Sequence, residues 1–287
     1  MGNLKKTEKK TGQEKIEKTE KIDKTEKTEK TEKPERKPGL SVSSLKFIAM
    51  AAMLLDHIGL VLIENGYLAS FKDKDILLST LPLFWVNFII RIIGKIAFPI
   101  YAFLIVEGYK HTRDIRKYLI RLLVFGLIAE IPFDFAYRSS ISLNAQNVIF
   151  TLTLGLVSIL TWDAALGKDE DGNRMNFFLI SEKRKFLAVF SLLLYIAFAT
   201  FFRVDYYGFG VAIVWAMYVF KDSIIYRNVT TGVLLALGGP LDIGGLIAFI
   251  PLKYYNGEKG LNLKYLFYAF YPLHLGILVG IKYLIYG

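Results

Sequence analysis

Two ionisable residues in an early apolar stretch of this 287-residue chain have the types and the spacing for group-transfer chemistry. Lys46 and His57 lie eleven positions apart in LKFIAMAAMLLDHIG. On a helix, at about 100° per residue, this spacing returns to nearly the same face, roughly 16 Å further along the axis. A cation at the mouth of a cavity can bind a phosphate-bearing donor, and a neutral imidazole deeper inside can take a proton from an acceptor. In the alternative interpretation, Lys46 only anchors the helix end and His57 hydrogen-bonds to a neighbouring helix.

Asp56 immediately precedes His57 and is the second candidate catalytic residue. On a regular helix its side chain points about 100° away from the imidazole. We therefore expect Asp56 to pair with a group on a neighbouring helix, and to orient His57 only if the helix is distorted at this point.

Arg91 and Lys95 are four positions apart, on one face of a predicted helix. Two cations placed in this way repel each other unless an anion or carboxylates lie between them. The two residues are therefore candidates for binding the phosphates of a donor. The alternative is ion pairing, for which the nearest candidate carboxylates are Glu107, Glu130 and Asp134.

A basic stripe at helical spacing follows, and it contains the further candidate donor-binding residues Arg113 and Arg116. Lys117 and Arg121 complete the stripe. Phosphate binding is one interpretation of these residues. The other is the excess of Lys and Arg in the cytoplasmic loops of membrane proteins, which explains most of the stripe.

More ionisable residues fall within apolar stretches. In a membrane such a residue costs several kcal/mol unless it is paired or faces a wet cavity, so the set predicts an aqueous or substrate cavity. Asp242 lies in GGPLDIGG, where the backbone cannot form a regular helix, and Pro132 is predicted to break a helix in EIPFD. His274, in FYPLHL, is expected to be a satisfied core histidine. The other members are Glu107, Glu130, Asp134 and Asp205.

Membrane-spanning helices are predicted to hold these residues in place. The chain is 53% hydrophobic and 15% aromatic, and runs long enough to cross an apolar core of about 30 Å recur along it. We predict an all-α, polytopic transmembrane bundle of about eight to ten helices. The run 82–109 is too long for one plain span and is expected to contain a short helix and a span. The runs cover roughly residues 45–64, 82–109, 119–137, 147–166, 186–202, 208–225, 229–250 and 265–285.

The composition also excludes several kinds of site. The chain has no cysteine, which excludes a disulfide framework, an iron–sulfur centre and a thiol nucleophile. Its three histidines, at positions 57, 111 and 274, leave little scope for a metal site, and none is predicted. Nucleic-acid binding is not expected, because the apolar body offers no basic groove.

Residues 1–39 differ from the rest of the chain. They contain 13 Lys or Arg and 9 Asp or Glu, and from 19 to 33 they repeat Lys-Thr-Glu. Such a segment buries too little apolar surface to offset its chain entropy. We predict a disordered, low-complexity tail over 1–39 and a multipass membrane domain over 40–287.

Loop charge predicts the orientation in the plasma membrane. Basic clusters fall in the loops at 110–118, 167–185 and 222–228, which are therefore predicted to be cytoplasmic together with the N-terminal tail. The opposite loops are poorer in Lys and Arg, apart from Lys253, Lys259 and Lys264.

Six strings, in order along the chain, resemble the TraX family of multipass membrane proteins. Its founding activity is the N-terminal acetylation of conjugative pilin. The resemblance therefore implies transfer of an acetyl or other acyl group from acetyl-CoA or another acyl-CoA. It implies an amine or hydroxyl acceptor, on a peptide N-terminus, a glycan or a lipid-linked sugar. The strings are LKFIAMAAMLLDHIG, RIIGKIAFPIYAFLIVEGYKHT, YLIRLLVFGLIAEIPFD, NVIFTL, DYYGFG and YLFYAFYPLHL, between residues 45 and 276.

The spacing of Lys46 and His57 also resembles a pattern of a wider group of membrane acyltransferases. That pattern is a basic residue, ten further residues, and a histidine taken as the catalytic base. It implies that His57 is the base and that Lys46, Arg91 and Lys95 contact the donor. Lys95 stands where the TraX pattern often has arginine, which keeps the charge but loses bidentate phosphate geometry.

Two other classes of function stay open. A secondary transporter would also have carboxylates at mid-membrane depth and glycine-broken helices, but it usually has an internal repeat, and the two halves of this sequence show no similarity. A non-catalytic membrane component of pilus or envelope assembly would share the fold without needing His57. Binding of acetyl-CoA distinguishes the enzyme from both.

Overall fold

A computed structural model describes residues 38–70, 81–167, 169 and 175–286 of the chain. The predicted low-complexity tail lies outside the described residues up to position 37, so its disorder stays a prediction. The described part is α-helical and contains no strand, only two isolated bridges. The prediction of an all-α transmembrane helix bundle is confirmed.

Ten α-helices occur in the described residues, which agrees with the predicted number. The first continues as a π-helix over Gly59–Tyr67, and a 3-10 helix over Asp242–Ala248 leads into the ninth. In the described part of the chain, five segments are long and apolar enough to cross a membrane: Val42–Ser70, Leu81–His111, Val148–Leu166, Glu182–Phe201 and Lys264–Tyr286. The α-helices are α1 (Val42–Ile58), α2 (Leu81–Gly94), α3 (Ala97–His111), α4 (Ile115–Arg138), α5 (Val148–Leu166), α6 (Glu182–Phe201), α7 (Tyr207–Val219), α8 (Ile224–Gly238), α9 (Phe249–Lys253) and α10 (Lys264–Tyr286).

Small residues let α1 and α2 pack with almost no space between them. A Cβ on Gly94 would collide with the side chain of Asp56, and a Cβ on Gly59 would lie 2.6 Å from the amide oxygen of Asn87. The long run 82–109 divides into α2 and α3, with a turn at Lys95, as predicted. These contacts bring the polar residues of the two helices within ion-pairing distance.

The prediction that Pro132 breaks a helix is wrong. Pro132 lies inside α4, which continues without interruption from Ile115 to Arg138. Transmembrane helices tolerate proline because neighbouring groups can satisfy the carbonyl that it leaves free. At the start of α4, Asp114 caps the helix, and the backbone N–H of Lys117, which donates to its carboxylate, holds the pKa of that group below its usual range.

Hydrogen bonds show which helix ends share one side of the bundle. The carboxylate of Asp163, near the end of α5, accepts from Tyr109 near the end of α3 and from Tyr218 near the end of α7. The N–H of Leu40, just before α1, donates to the carbonyl of Tyr254, just after α9 (2.7 Å).

A further bond joins these two sets of helix ends. The Tyr255 hydroxyl, in the loop after α9, donates to Glu107 in the last turns of α3 (3.1 Å). All these ends therefore lie on the side where α1 begins, which we call the near side.

The run 229–250, predicted to be one span, is instead a re-entrant hairpin. Helix α8 begins on the near side, only five residues after α7 ends there, and α9 ends on the near side. Gly239 (φ 159°) and Pro240 end α8, because proline lacks the N–H that would continue the helix and glycine permits this backbone conformation. The chain then returns through the 3-10 helix Asp242–Ala248, which confirms the predicted irregular backbone.

The hairpin changes the side assigned to three lysines. The loop after α9 lies on the near side, so the placement of Lys253, Lys259 and Lys264 with the opposite loops is wrong. They join the basic residues between α3 and α4 on one side of the membrane, which strengthens the charge bias. That this side faces the cytoplasm stays a prediction.

Candidate functional site

A cavity of about 520 Å³ opens between the near-side ends of α1, α3, α4 and α10. Its described lining contains five side chains that are basic or can become so, and one carboxylate. The carboxylate, Glu107, already accepts from Lys110 (2.7 Å) and from Tyr255. The cavity therefore has an excess of positive charge. The basic residues are Lys46, His111, Arg121, Lys259 and Lys264.

Aromatic side chains form much of the remaining wall. The ammonium group of Lys46 lies 4.6 Å from the centre of the Phe267 ring, and the rings of Tyr268 and Phe125 stack at 5.0 Å. Such walls suit a ligand that combines flat or apolar parts with negative charge. The tyrosines that line the cavity are Tyr101, Tyr118, Tyr255, Tyr268 and Tyr271.

Hydrogen bonds join the loop from 254 to 263 to the start of α1. The N–H groups of Val42 and Ser43 donate to the carbonyls of Glu258 (2.8 Å) and Lys259 (3.3 Å). The N–H of Leu261 donates to the Ser43 hydroxyl (2.9 Å). Gly260 has a φ of 66° and lies so close to Ser43 that a Cβ would collide with its hydroxyl. This contact places Lys259 and Lys46 on the same cavity.

His57 lies directly behind the wall of the cavity and is 5% exposed. Its ring is 5.9 Å from that of Tyr271, and Met53 lies one helical turn before it; both of these neighbours line the cavity. His57 itself is not among the described lining residues. As predicted, Lys46 lies at the mouth of the cavity and His57 lies deeper along the same helix.

His57 is hydrogen-bonded to His274 of α10, with Nδ1 and Nε2 2.7 Å apart. The sequence pattern does not link the two residues, and the structure brings them together. His274 is buried and also bonded to the carbonyl of Phe270 (2.7 Å), which confirms that it is a satisfied core histidine. One feature of the sequence could have indicated this pair: His57 and His274 are two of only three histidines in the chain, and both lie in apolar runs.

Arg91 and Lys95 lie outside the described lining of the cavity, in a group of opposite charges that we call the ion-pair cluster. Arg91 Nη1 is 3.1 Å from Asp56 Oδ1 and Arg91 Nε is 3.2 Å from Glu64 Oε1. Lys95 Nζ is 3.5 Å from Asp242 Oδ1. The cluster consists of these five residues.

The expected partners of Arg91 and Lys95 were wrong, because the carboxylates of α3 and α4 have other partners. Glu107 pairs with Lys110, Glu130 accepts from Asn147, and Asp134 accepts from the N–H of Ser142. Close packing of α1 on α2 instead brings Asp56 to Arg91, and the 3-10 helix after α8 brings Asp242 to Lys95.

Asp56 occupies the position that the helical geometry predicts. It pairs with Arg91 of the neighbouring helix, and its backbone carbonyl accepts from the same guanidinium (3.2 Å). Both residues are 8% exposed. A catalytic role for Asp56 therefore stays a prediction, while its contact with α2 is a feature of the structure.

The basic stripe divides between the cavity and the surface. Arg121 lines the cavity, and its guanidinium lies 5.9 Å from the centre of the Tyr118 ring. Arg113 and Arg116 are exposed and lie outside the described lining. Of the five predicted donor-binding residues, Lys46 alone lines the cavity in the described part of the chain.

A group of three or more histidine, aspartate or glutamate residues placed to hold a metal ion does not occur among the described residues.

Comparison with known proteins identifies the family. A family model described as TraX protein matches residues 41–282. The chain belongs to the TraX family. The probable fimbrial assembly protein FimC, serogroup H1, of Dichelobacter nodosus is 27% identical to it over 277 residues, which cover 86% of this chain and 98% of that protein. No solved structure matches the chain. The resemblance to TraX is thus confirmed, and the relationship to the wider group of membrane acyltransferases stays a prediction.

Proposed function

We propose that this TraX-family membrane protein is an acyltransferase, which moves an acetyl or other acyl group from acyl-CoA to an amine or a hydroxyl. One observation carries the proposal. A buried histidine, hydrogen-bonded on one ring nitrogen, lies against the wall of a basic, tyrosine-lined cavity. A base next to a cavity for an anionic donor is the minimum that transfer from a thioester requires.

The cavity supports the binding of the donor. Its volume falls within the range of about 300–1,000 Å³ that is usual for small-molecule sites. Lys46, Arg121 and Lys259 line it without an ion-pairing carboxylate of their own in the described residues. Cations with this freedom form charge-assisted hydrogen bonds to phosphates. We assign the phosphates of acyl-CoA to these residues rather than to Arg91 and Lys95.

The proposed reaction needs no covalent enzyme intermediate. His57 takes the proton of the acceptor amine or hydroxyl as the acceptor attacks the thioester carbonyl. A carbon–nitrogen or carbon–oxygen bond forms, the carbon–sulfur bond breaks, and the proton passes from His57 to the departing CoA thiolate. A thioester is already activated. A positioned base and the correct orientation of the two substrates therefore provide most of the rate enhancement.

A second candidate is a non-catalytic role in fimbrial assembly. It is supported by the similarity to a probable fimbrial assembly protein along 98% of the length of that protein. In this role the His57–His274 bond only joins α1 to α10, and the cavity has no acyl donor. An acyltransferase whose acceptor is a fimbrial subunit would also account for this similarity.

Acetyl-CoA distinguishes the two candidates. We expect the purified full-length chain to bind acetyl-CoA and to release CoA thiol when a suitable amine is present. Because the chain has no cysteine, a thiol reagent reports the released CoA without a background from the protein. Lys259→Gln should weaken binding, whereas Lys253→Gln, on the same side but outside the described lining, should not. A wild-type chain that binds no acetyl-CoA at millimolar concentration would exclude acyl transfer and favour the assembly role.

A further inference from the structure

Three groups form a hydrogen-bonded series that ends at His57. The carbonyl oxygen of Phe270 lies 2.7 Å from His274 Nδ1, and His274 Nε2 lies 2.7 Å from His57 Nδ1. Phe270 and His274 are one turn apart on α10, and their rings stack with centroids 4.6 Å apart. Among the described residues, each ring nitrogen in the series therefore has a hydrogen-bonding neighbour, except Nε2 of His57.

The chemistry of these groups determines where the protons lie. A carbonyl oxygen can only accept, so Nδ1 of His274 carries a hydrogen. A neutral imidazole has one donor and one acceptor nitrogen, so Nε2 of His274 accepts and Nδ1 of His57 donates. With both rings neutral, the free lone pair of His57 is then on Nε2.

We propose that His274 is a positioning residue that holds His57 in the tautomer protonated on Nδ1, so that Nε2 is the atom that takes the proton of the acceptor. This inference rests on the proposed acyl transfer. It assigns to His274 a role that orienting groups have in other catalytic sites, where the partner of one ring nitrogen fixes the state of the other.

The surroundings of the two rings support this arrangement. If His274 Nε2 instead donated to His57 Nδ1, a neutral His274 would place the lone pair of its Nδ1 against the carbonyl oxygen of Phe270. His274 could avoid this only by carrying a hydrogen on both nitrogens, that is, a positive charge. Both rings are buried, each 5% exposed, and burial away from water disfavours a charged ring that has no carboxylate partner. Tyr271, on the same helix as His274, is the uncharged neighbour of both rings.

The tautomers can be observed directly. We would label histidine with ¹⁵N in the full-length protein and record ring nitrogen shifts in a His111→Gln background, which removes the histidine outside the pair. Both remaining histidines should be protonated on Nδ1. A hydrogen on Nε2 of His57 in a chain that transfers acetyl groups would overturn the assignment and leave the proposed function intact.

Two substitutions separate positioning from packing. His274→Gln keeps an acceptor oxygen for His57, whereas His274→Leu removes it. We expect His274→Leu to lower kcat by about 10- to 10³-fold with the KM for acetyl-CoA near that of the wild type, and His274→Gln to recover most of that loss. In parallel, the ¹⁵N spectrum should show the Nδ1 tautomer of His57 in the Gln variant and a changed tautomer in the Leu variant.

The remaining outcomes contradict the inference in distinct ways. Equal losses in both variants with an unchanged tautomer would make His274 a packing residue. A wild-type chain without acetyl-CoA turnover would overturn the proposed function and the positioning role with it, even if the spectra show the expected tautomers.

Discussion

Cationic side chains occur in two regions of the bundle, and their surroundings differ. In the ion-pair cluster, Arg91 and Lys95 each lie within 3.5 Å of a carboxylate from another part of the chain. In the cavity, Lys46 and Lys259 line an open volume, and Lys46 has an aromatic ring as its neighbour. In the ion-pair cluster, carboxylates of the protein neutralise the cations. In the cavity, Lys46 and Lys259 have no such carboxylate among the described residues.

Residue type and spacing alone therefore do not distinguish a charge that joins two helices from one that binds a ligand. Arg91 and Lys95 have the spacing of an anion site, but close packing of α1 on α2 brings Asp56 and Glu64 to Arg91. A buried charge that has lost its partner is costly, so these pairs stabilise the bundle against rearrangement. Substitutions in each region can show whether the ion-pair cluster determines stability and the cavity determines ligand binding.

The largest expected effect is on catalysis at the cavity. His57→Ala should lower the rate of acetyl transfer by roughly 10² to 10⁴-fold, because the base is lost. The affinity for acetyl-CoA should stay close to that of the wild type, because the imidazole meets the acceptor and not the nucleotide. Rate and affinity are measured on the same purified protein, and near-normal transfer would leave His57 as a packing residue.

The next effect is on stability at the ion-pair cluster. Arg91→Ala should lower the free energy of unfolding by about 3 kcal/mol, because it leaves the buried carboxylate of Asp56 without its cation. Glu64, whose side chain is 35% exposed, contributes less because water can solvate it. Denaturant unfolding in detergent measures this loss. The matched control is Asp56→Asn combined with Arg91→Ala, which removes one of the stranded charges and should recover part of the stability. If the Arg91→Ala variant is stable but fails to bind acetyl-CoA, Arg91 binds the donor after all.

A moderate effect is expected on donor affinity. Lys46→Gln and Lys259→Gln should each raise the Kd for acetyl-CoA by about tenfold, which corresponds to one charge-assisted hydrogen bond of about 1.4 kcal/mol. Calorimetry on the folded variants gives the Kd, with Lys253→Gln as the control. If both substitutions leave the Kd unchanged, the phosphates bind elsewhere.

The smallest effect concerns the exposed part of the basic stripe. Arg113→Ala combined with Arg116→Ala should change the Kd for acetyl-CoA by less than about twofold, because exposed charges are screened by water and salt. Arg121→Gln, from the same stripe but on the cavity, should raise the Kd more. The reverse order would place the donor at the surface of the stripe.

Much of the fold could be predicted from the sequence because hydropathy reports directly on which segments can lie in a membrane. The positions of α1, α4, α5, α6 and α10 follow the predicted runs. The hairpin from 224 to 253 could not be recognised, because an apolar run that turns back has the same hydropathy as one that crosses. Because of that single error, Lys259 and Lys264 were predicted to lie on the wrong side of the membrane.

The site was predictable only where it depends on one helix. The position of His57 deeper along α1 than Lys46 follows from helical geometry alone, and the structure agrees, although of the two only Lys46 is among the described lining residues of the cavity. The bond from His57 to His274 joins residues 217 positions apart, and no local pattern contains that information. The separation of Arg121 from Arg113 and Arg116 similarly depends on what packs against α4.

The bond between α1 and α10 has a consequence for the biogenesis of the protein. Insertion proceeds along the chain, so His57 enters the membrane long before His274 is synthesised. During that interval the ring of His57 has no partner from α10, and the wall contributed by Tyr271 is absent. The site can therefore be completed only after α10 has been synthesised. Chains that stall before α10 contain all five residues of the ion-pair cluster but lack His274.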